Sequence, residues 1–250
     1  MRDLSIVQLW ERCLDRIYPG EQKVRYTDAI GDLLKKEGSV KIRDASCGTG
    51  ELALGLQRRG IAVSCSDSSR LMLEQFKTRA GPMAQAERLP WSDLGEKYEA
   101  EFDALLVLRN SLPYVISWGK PSVNPEAARQ NIRTAMRNFY KALKPGGFLL
   151  VDTHLKNDEH RELGEVDVDG EKEQWTLIRN IDKRKKIMNW GFHRKHAETG
   201  ETRQNIYQGY PIDAEELTWM LQNVGFKWPE AVRIPGENNY QVFLARKGRI

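Results

Sequence analysis

The chain has only three cysteines in 250 residues, at positions 13, 47 and 65. They are too few and too unevenly placed for a disulfide framework, and they lack the paired spacing of a zinc site. Reduced, partly buried thiols in a cytoplasmic protein are the expectation, with no metal site. Also missing is any apolar run approaching the ~20 residues a membrane helix needs. The first residues, Met1 to Ser5, lead into an amphipathic stretch, so the start does not read as a signal peptide. A dominant charge is lacking too: 39 Lys and Arg face 35 Asp and Glu, for a net charge of +4. Dedicated nucleic-acid binders concentrate their basic residues on one face. The densest basic run here, Lys183 to Lys186, falls at an expected hairpin tip and reads as a solvated turn, which argues against a nucleic-acid partner. Internal repeats and low-complexity segments are absent. What remains, 40% hydrophobic and 30% charged residues, is the make-up of a globular protein large enough for one α/β domain with an elaborated cap.

Apolar spacing predicts helices over 3–18 and 22–36, separated by Pro19-Gly20. Short apolar runs then alternate with longer amphipathic ones. Strands are expected over 40–45, 61–66, 83–86, 102–108 and 147–152, and helices over 51–59, 69–79 and 125–143. Such alternation argues for βαβ units and a doubly wound, mostly parallel sheet. Asn124 is placed to cap the 125–143 helix, whose first position holds Pro125. After Asp152 the pattern changes to strand-like runs over 173–179, 186–193 and 203–210, which read as an antiparallel meander. Asp213 then caps a helix to about 224, and strands follow over 228–234 and 240–246.

The informative stretch is Asp44-Ala45-Ser46-Cys47-Gly48-Thr49-Gly50-Glu51, where a strand enters a glycine-bearing turn that opens a helix. Glycines allow a tight turn and a close ligand approach, and such a loop borders the crevice where doubly wound sheets bind ligands. A dinucleotide fingerprint would place its third glycine at Ala53, and the G-x-x-x-x-G-K-[ST] phosphate loop is absent. Asp67 follows Gly50 by 17 residues, about where a carboxylate meets ribose hydroxyls through strong hydrogen bonds. A plain βαβ turn, with an aspartate capping the next helix, is the alternative these residues leave open.

Asp44–Gly50, read as D-x-x-C-G-T-G, resembles motif I of the class I S-adenosylmethionine methyltransferases. Ser66-Asp67-Ser68-Ser69-Arg70-Leu71-Met72-Leu73 resembles their second motif. Phe102–Leu108 is similar to the fourth, and Leu143-Lys144-Pro145-Gly146-Gly147 to the turn before strand five. Together the motifs cover about residues 40–155. Within the class, Leu108-Arg109-Asn110-Ser111 resembles the L-G-N-S segment of glycine N-methyltransferases and related small-amine enzymes. The resemblance implies S-adenosylmethionine as cofactor, contacted by Tyr26, Ser46, Gly48, Gly50, Asp67, Ser68, Met72, Glu87, Arg88 and Leu108. It also implies a single domain over 1–250: a helical cap over 1–38, a cofactor-binding core over 40–153, an antiparallel lid insertion over 154–211, and a closing helix and strands over 212–250.

Where those enzymes carry D-H-R-N after strand five, this chain has Asp152-Thr153-His154-Leu155. A neutral histidine is a poorer carboxylate clamp than a guanidinium fork, and Arg109 is placed to supply the missing charge. Expected positioning groups for the reaction are Asn110, His154 and Tyr18. Arg109, Asn110, Trp175, Tyr207 and Tyr210 are expected on the substrate, and Trp190 is a further aromatic candidate of the meander. The expected activity is methyl transfer to the nitrogen of a small amine or amino-acid-like molecule. Two alternatives stand beside it: O-methylation with His154 as general base, and an RNA-associated cofactor-binding protein using Lys183 to Lys186. The N-P-P-[YFW] motif of nucleic-acid amine methylation is absent, its place taken by Asn110-Ser111-Leu112-Pro113. Small-molecule partners are expected, no membrane, and a homo-oligomer is left open.

Overall fold

The computed structural model describes residues 1–81, 84–155 and 158–249. These divide into two units. A sheet unit comprises 21–112, 130–155 and 212–250, and a meander unit comprises 1–20, 113–129 and 156–211.

The sheet unit is built on seven strands: β1 (Ile42–Asp44), β2 (Val63–Asp67), β3 (Glu87–Arg88), β4 (Phe102–Val107), β5 (Leu143–His154), β10 (Phe226–Val232) and β11 (Tyr240–Lys247). Their order is β10-β11-β5-β4-β1-β2-β3. β1 pairs in parallel with both β2 and β4, and β5 in parallel with β4, whereas β11 runs antiparallel to β5 and to β10. Every residue of β1 is buried, and β4 has a single half-buried position. Strands buried on both faces are the mark of a sheet covered on both sides. The chain leaves β1 toward β2 and β3, and later returns to β1's other side with β4. The carboxyl ends of β1 and β4 therefore form the switch point where such sheets bind ligands.

Local chemistry sets the helix starts. Gly50 (φ +86°) lies at the N-terminus of α3 (Glu51–Gln57), where an added Cβ would sit 2.4 Å from Phe76. Ser69 caps α4 (Arg70–Ala80), Asn124 caps α6 (Pro125–Ala142), and Asp213 caps α7 (Ala214–Val224) by accepting the Glu216 N–H at 2.8 Å. Gly225, in the left-handed conformation, closes α7.

In the meander unit, α1 (Ile6–Ile17) accompanies four antiparallel strands in simple order: β6 (Glu159–Val168), β7 (Glu171–Asp182), β8 (Ile187–His196) and β9 (Thr202–Gly209). Lys183 to Lys186 form the exposed β7–β8 turn, with Asp182 Oδ1 accepting the Arg184 and Lys185 N–H groups at 3.0 Å.

Four expectations are corrected. The third strand lies at Glu87–Arg88, in register with Ser66 and Asp67; of the expected 83–86 strand, residue 83 lies outside the described residues, and 84–86 are irregular. The helix α5 (Trp91–Lys97) and the strand β6 were not anticipated. The expected 1–38 cap is divided, since α1 belongs to the meander unit and α2 (Gly20–Lys36) falls almost wholly in the sheet unit.

Candidate active site

The glycine loop is tied to both neighbouring strands. The Ala45 N–H donates to Leu106 of β4 at 2.9 Å, and the Cys47 N–H to Ser66 of β2 at 3.0 Å. Asp67, at the end of β2, accepts the Gly48 N–H at 2.9 Å and the Ser69 N–H at 2.8 Å, so one carboxylate joins the loop to the start of α4. Burial raises its pKa against those hydrogen bonds. Gly48 is left-handed (φ +52°), and no heavy atom lies within 4 Å of the position a Cβ would take. The loop thus keeps open space beside its backbone, while the hydroxyl of Ser46 is buried without a hydrogen-bond partner. Asp44 is buried and accepts the Ser46 N–H at 3.1 Å; burial, with the Asp67 charge adding to it, pushes its pKa up to about 7.

Across the switch point, Arg109 and Asn110 both occupy the left-handed region, at φ +61° and +59°. Two consecutive non-glycine residues rarely hold that conformation. Asp152 of β5 explains it: its carboxylate accepts the Arg109 N–H and the Asn110 N–H, each at 2.7 Å. Asp152 is fully buried, and burial followed by the Glu237 charge pushes its pKa up to about 8. His154, two residues along, projects from the same face of β5; its ring lies 5.4 Å from Tyr240, its register partner on β11.

The Arg109 guanidinium stands 4.0 Å over the ring of Tyr26 on α2, and its Nη1 is 3.7 Å from Glu237 Oε2. Tyr26 has no exposure, its hydroxyl lacks a hydrogen-bond partner, and burial raises its pKa. Asp152 and Glu237 thus flank the Arg109 guanidinium, and Asp44 acts on the same Tyr26. These acidic groups, ionised most readily beside a cation, suit a ligand that carries positive charge, as a sulfonium does, and the open glycine loop and Asp67 suit its nucleoside. The residues present fit S-adenosylmethionine.

The remaining expected residues fall into three groups. Leu108 and Met72 are buried beside the loop elements, and Ser68 uses its carbonyl to accept from Arg88 Nε at 3.3 Å. Glu87 is taken up by ion pairs with Arg43 and Lys97 and by the Tyr98 hydroxyl at 2.8 Å, so its carboxylate serves the packing of β3. Tyr18, Trp175, Tyr207 and Tyr210 belong to the meander unit. Trp175 was expected on the substrate, and there the structure corrects the sequence. It is 1% exposed, its indole N–H donates to Glu173 at 2.8 Å, and Arg194 stands 5.2 Å over its ring, so it is core. Tyr18 and Tyr210 are buried, the latter donating its N–H to Pro113 at 2.9 Å. Tyr207 is half-buried beside Trp190, at 5.5 Å between rings. Asp152 as a clamp and Glu237 as a buried carboxylate were missed. The first carried a signal, since an aspartate at the end of a core strand needs partners. The second had none, since Gly236-Glu237-Asn238-Asn239 reads as an ordinary turn.

A seven-stranded sheet in this order, with a glycine loop after β1 and an aspartate after β2, defines the class I methyltransferase architecture. The model of a family described as a methyltransferase domain matches residues 20–230, and the chain belongs to that family. It is similar to the glycine N-methyltransferase of Rattus norvegicus, 27% identical over 163 residues, which are 60% of this chain and 52% of that enzyme. Among solved structures it resembles Streptomyces venezuelae DesVI (TM-score 0.72, 15% identity, all of both chains). It also resembles S-adenosylmethionine-bound CalS10, an amino pentose methyltransferase from Micromonospora echinaspora (TM-score 0.70, 14% identity, 99% of both chains). The protein is an enzyme, a methyltransferase that uses S-adenosylmethionine. Among the described residues no helix is long and apolar enough to cross a membrane.

Proposed function

We propose that this enzyme methylates the nitrogen of a small amine or amino-acid-like acceptor. The observation that carries the reading is the Arg109–Asn110 turn, held on Asp152 in a set of buried carboxyl groups that a cationic ligand would ionise. When bound, S-adenosylmethionine supplies an electrophilic methyl on a good leaving group, so alignment of the nucleophile does more than a strong base. Asp67 and the Gly48–Gly50 loop hold the nucleoside. Tyr26 closes on the methionine end. Asn110, fixed at its backbone by Asp152, orients the acceptor. Buried carboxylates attract a protonated amine more strongly than a neutral hydroxyl compound, and the amine gives up its proton to one of them or to water before its lone pair takes the methyl. The similarity to a glycine N-methyltransferase and to an amino pentose methyltransferase supports the same class of acceptor.

The test is transfer of label from methyl-tritiated cofactor to a panel of low-mass amines, including glycine and amino sugars. Labelled amines are the expected products. Label appearing only on hydroxyl compounds, RNA or protein would overturn the reading. His154 lies on the Asp152 face of β5 and favours a second reading, O-methylation with the imidazole as base. That reading requires the rate to collapse in His154→Ala, and an unaltered rate removes it.

A further inference from the structure

Glu237 sits in the loop between β10 and β11, with its side chain 1% exposed. Its two carboxylate oxygens are treated differently. Oε1 accepts the N–H groups of Asn239 at 2.8 Å and Tyr240 at 3.2 Å, which fixes the carboxylate to its own loop. Oε2 is buried and accepts no hydrogen bond; the nearest cation, Arg109 Nη1, is 3.7 Å away, beyond hydrogen-bonding range. A buried carboxylate oxygen in that condition is costly unless something cationic completes it.

The loop is also pressed against α2. Gly236 has φ +87°, and a Cβ there would lie 2.6 Å from the Gln22 carbonyl oxygen and from the Tyr26 nitrogen. This contact seats Glu237 beside Tyr26, and Arg109 touches both residues, standing over the Tyr26 ring and facing Glu237 Oε2. Two buried oxygens, Glu237 Oε2 and the Tyr26 hydroxyl, are therefore left without hydrogen-bond partners in one neighbourhood. Asp152, Glu237 and Asp44 all act electrostatically on Tyr26, against Arg109 alone, so the charged groups around that hydroxyl are predominantly acidic. An anionic ligand would meet that field as repulsion. A group with several N–H donors and a positive charge matches it.

We propose that Glu237 is an ammonium-binding residue of the transfer site, its second carboxylate oxygen and the Tyr26 hydroxyl receiving a protonated amine. Two ligands carry that chemistry: the acceptor, which rests on the N-methylation reading, and the α-ammonium of S-adenosylmethionine, which does not. Glu237→Gln separates them, because the glutamine carbonyl still accepts from Asn239 and Tyr240 while the charge is removed.

The full-length variant is titrated calorimetrically with S-adenosylhomocysteine and with 5′-methylthioadenosine, which lacks the amino-acid end. KM is then measured for the amines that the wild type methylates. If the cofactor is the ligand, S-adenosylhomocysteine binds about ten-fold or more weakly and 5′-methylthioadenosine is unchanged. If the acceptor is the ligand, cofactor affinity stays within about two-fold while the amine KM rises about ten-fold or more. Tyr26→Phe should weaken the same ligand in the same direction, and it carries the test if Glu237→Gln proves too unstable to titrate. Equal loss for both nucleosides, or no change in any arm, overturns the proposal. Should the wild type methylate no amine, the N-methylation reading fails and the cofactor arm alone decides the role of Glu237.

Discussion

Both units bury charge, and they do so in opposite ways. In the meander unit Arg194 and Glu173 are fully buried and joined twice, at 2.8 Å from Nε and from Nη2. The Trp175 indole N–H completes the carboxylate, and the Arg2 carbonyl and Asn205 complete the guanidinium. In the sheet unit, Asp152 and Glu237 share the Arg109 guanidinium, 3.7 Å from Glu237 Oε2, and Asp44 lies near Arg43. Burial there is charge-unbalanced, and buried polar atoms such as the Tyr26 hydroxyl lack partners. A closed network specifies a shape; an open one specifies a ligand.

The contrast breaks most sharply at Arg194. Arg194→Met leaves Glu173 as an uncompensated buried charge and should lower the unfolding free energy by roughly 3–5 kcal/mol. The Glu173→Met/Arg194→Met double variant should recover a large part of that loss. Denaturant titration checks both, and a single variant within about 1 kcal/mol of wild type would end the view of this pair as structural.

Asp67→Ala should leave the fold standing and weaken S-adenosylmethionine by about 10- to 100-fold, the worth of charge-assisted hydrogen bonds to a diol. Calorimetry reads the change directly, and undiminished affinity would take Asp67 out of the site.

The acidic groups make a pH prediction. Asp44 and Asp152 have folded pKa values raised from 3.8 to about 7 and about 8. A raised carboxyl keeps its proton longer in the folded state, so the stability it confers is complete below 3.8 and is lost as pH rises through the folded value. The melting temperature of the ligand-free protein should therefore fall from pH 5.5 to 8.5. Asp152→Asn should flatten that slope. A cationic ligand favours the ionised carboxylates, so cofactor binding near neutrality should release protons, seen as a binding heat that varies with the buffer. Buffer-independent heat and a level melting profile would contradict these assignments.

The smallest effect belongs to the β7–β8 turn. Lys183→Ala and Lys185→Ala should each shift stability by no more than about 0.5 kcal/mol and leave cofactor affinity unchanged. A salt-dependent loss of RNA binding in these variants would revive the nucleic-acid reading.

Much of the sheet unit was legible because βαβ alternation and capping residues are local signals. Ser69, Asn124 and Asp213 cap the helices they precede, and Asp67 ends the second strand, one residue past the expected 61–66 run. The missed elements break their own periodicity. β6 changes register between Glu162 and Gly164, which disrupts the two-residue alternation. α5 is seven residues long and contains Gly95, whose missing Cβ lets it lie against Asn138. Such a helix is too short for an apolar stripe to show. Trp175 misled because an aromatic in a polar strand looks available until its neighbours are known; Glu173 and Arg194 close over it from its own strand and the next. The Glu237–Arg109–Tyr26 grouping joins residues more than 80 apart in sequence, and nothing local announces it.

The turn at positions 109 and 110 has a bearing on how this enzyme could drift. A left-handed backbone is met most cheaply by glycine, with asparagine next, and an arginine there is held at a standing conformational cost of order 1 kcal/mol. Backbone conformation alone would therefore push position 109 toward glycine in a population of random variants. Arg109→Gly removes that cost but also strips the buried Glu237 and Asp152 of their nearby cation, a loss that exceeds about 1 kcal/mol of backbone relief. Laboratory evolution for thermal tolerance without selection for activity should reach glycine at 109 only together with a change that removes the Glu237 charge, whereas selection for turnover should hold the arginine.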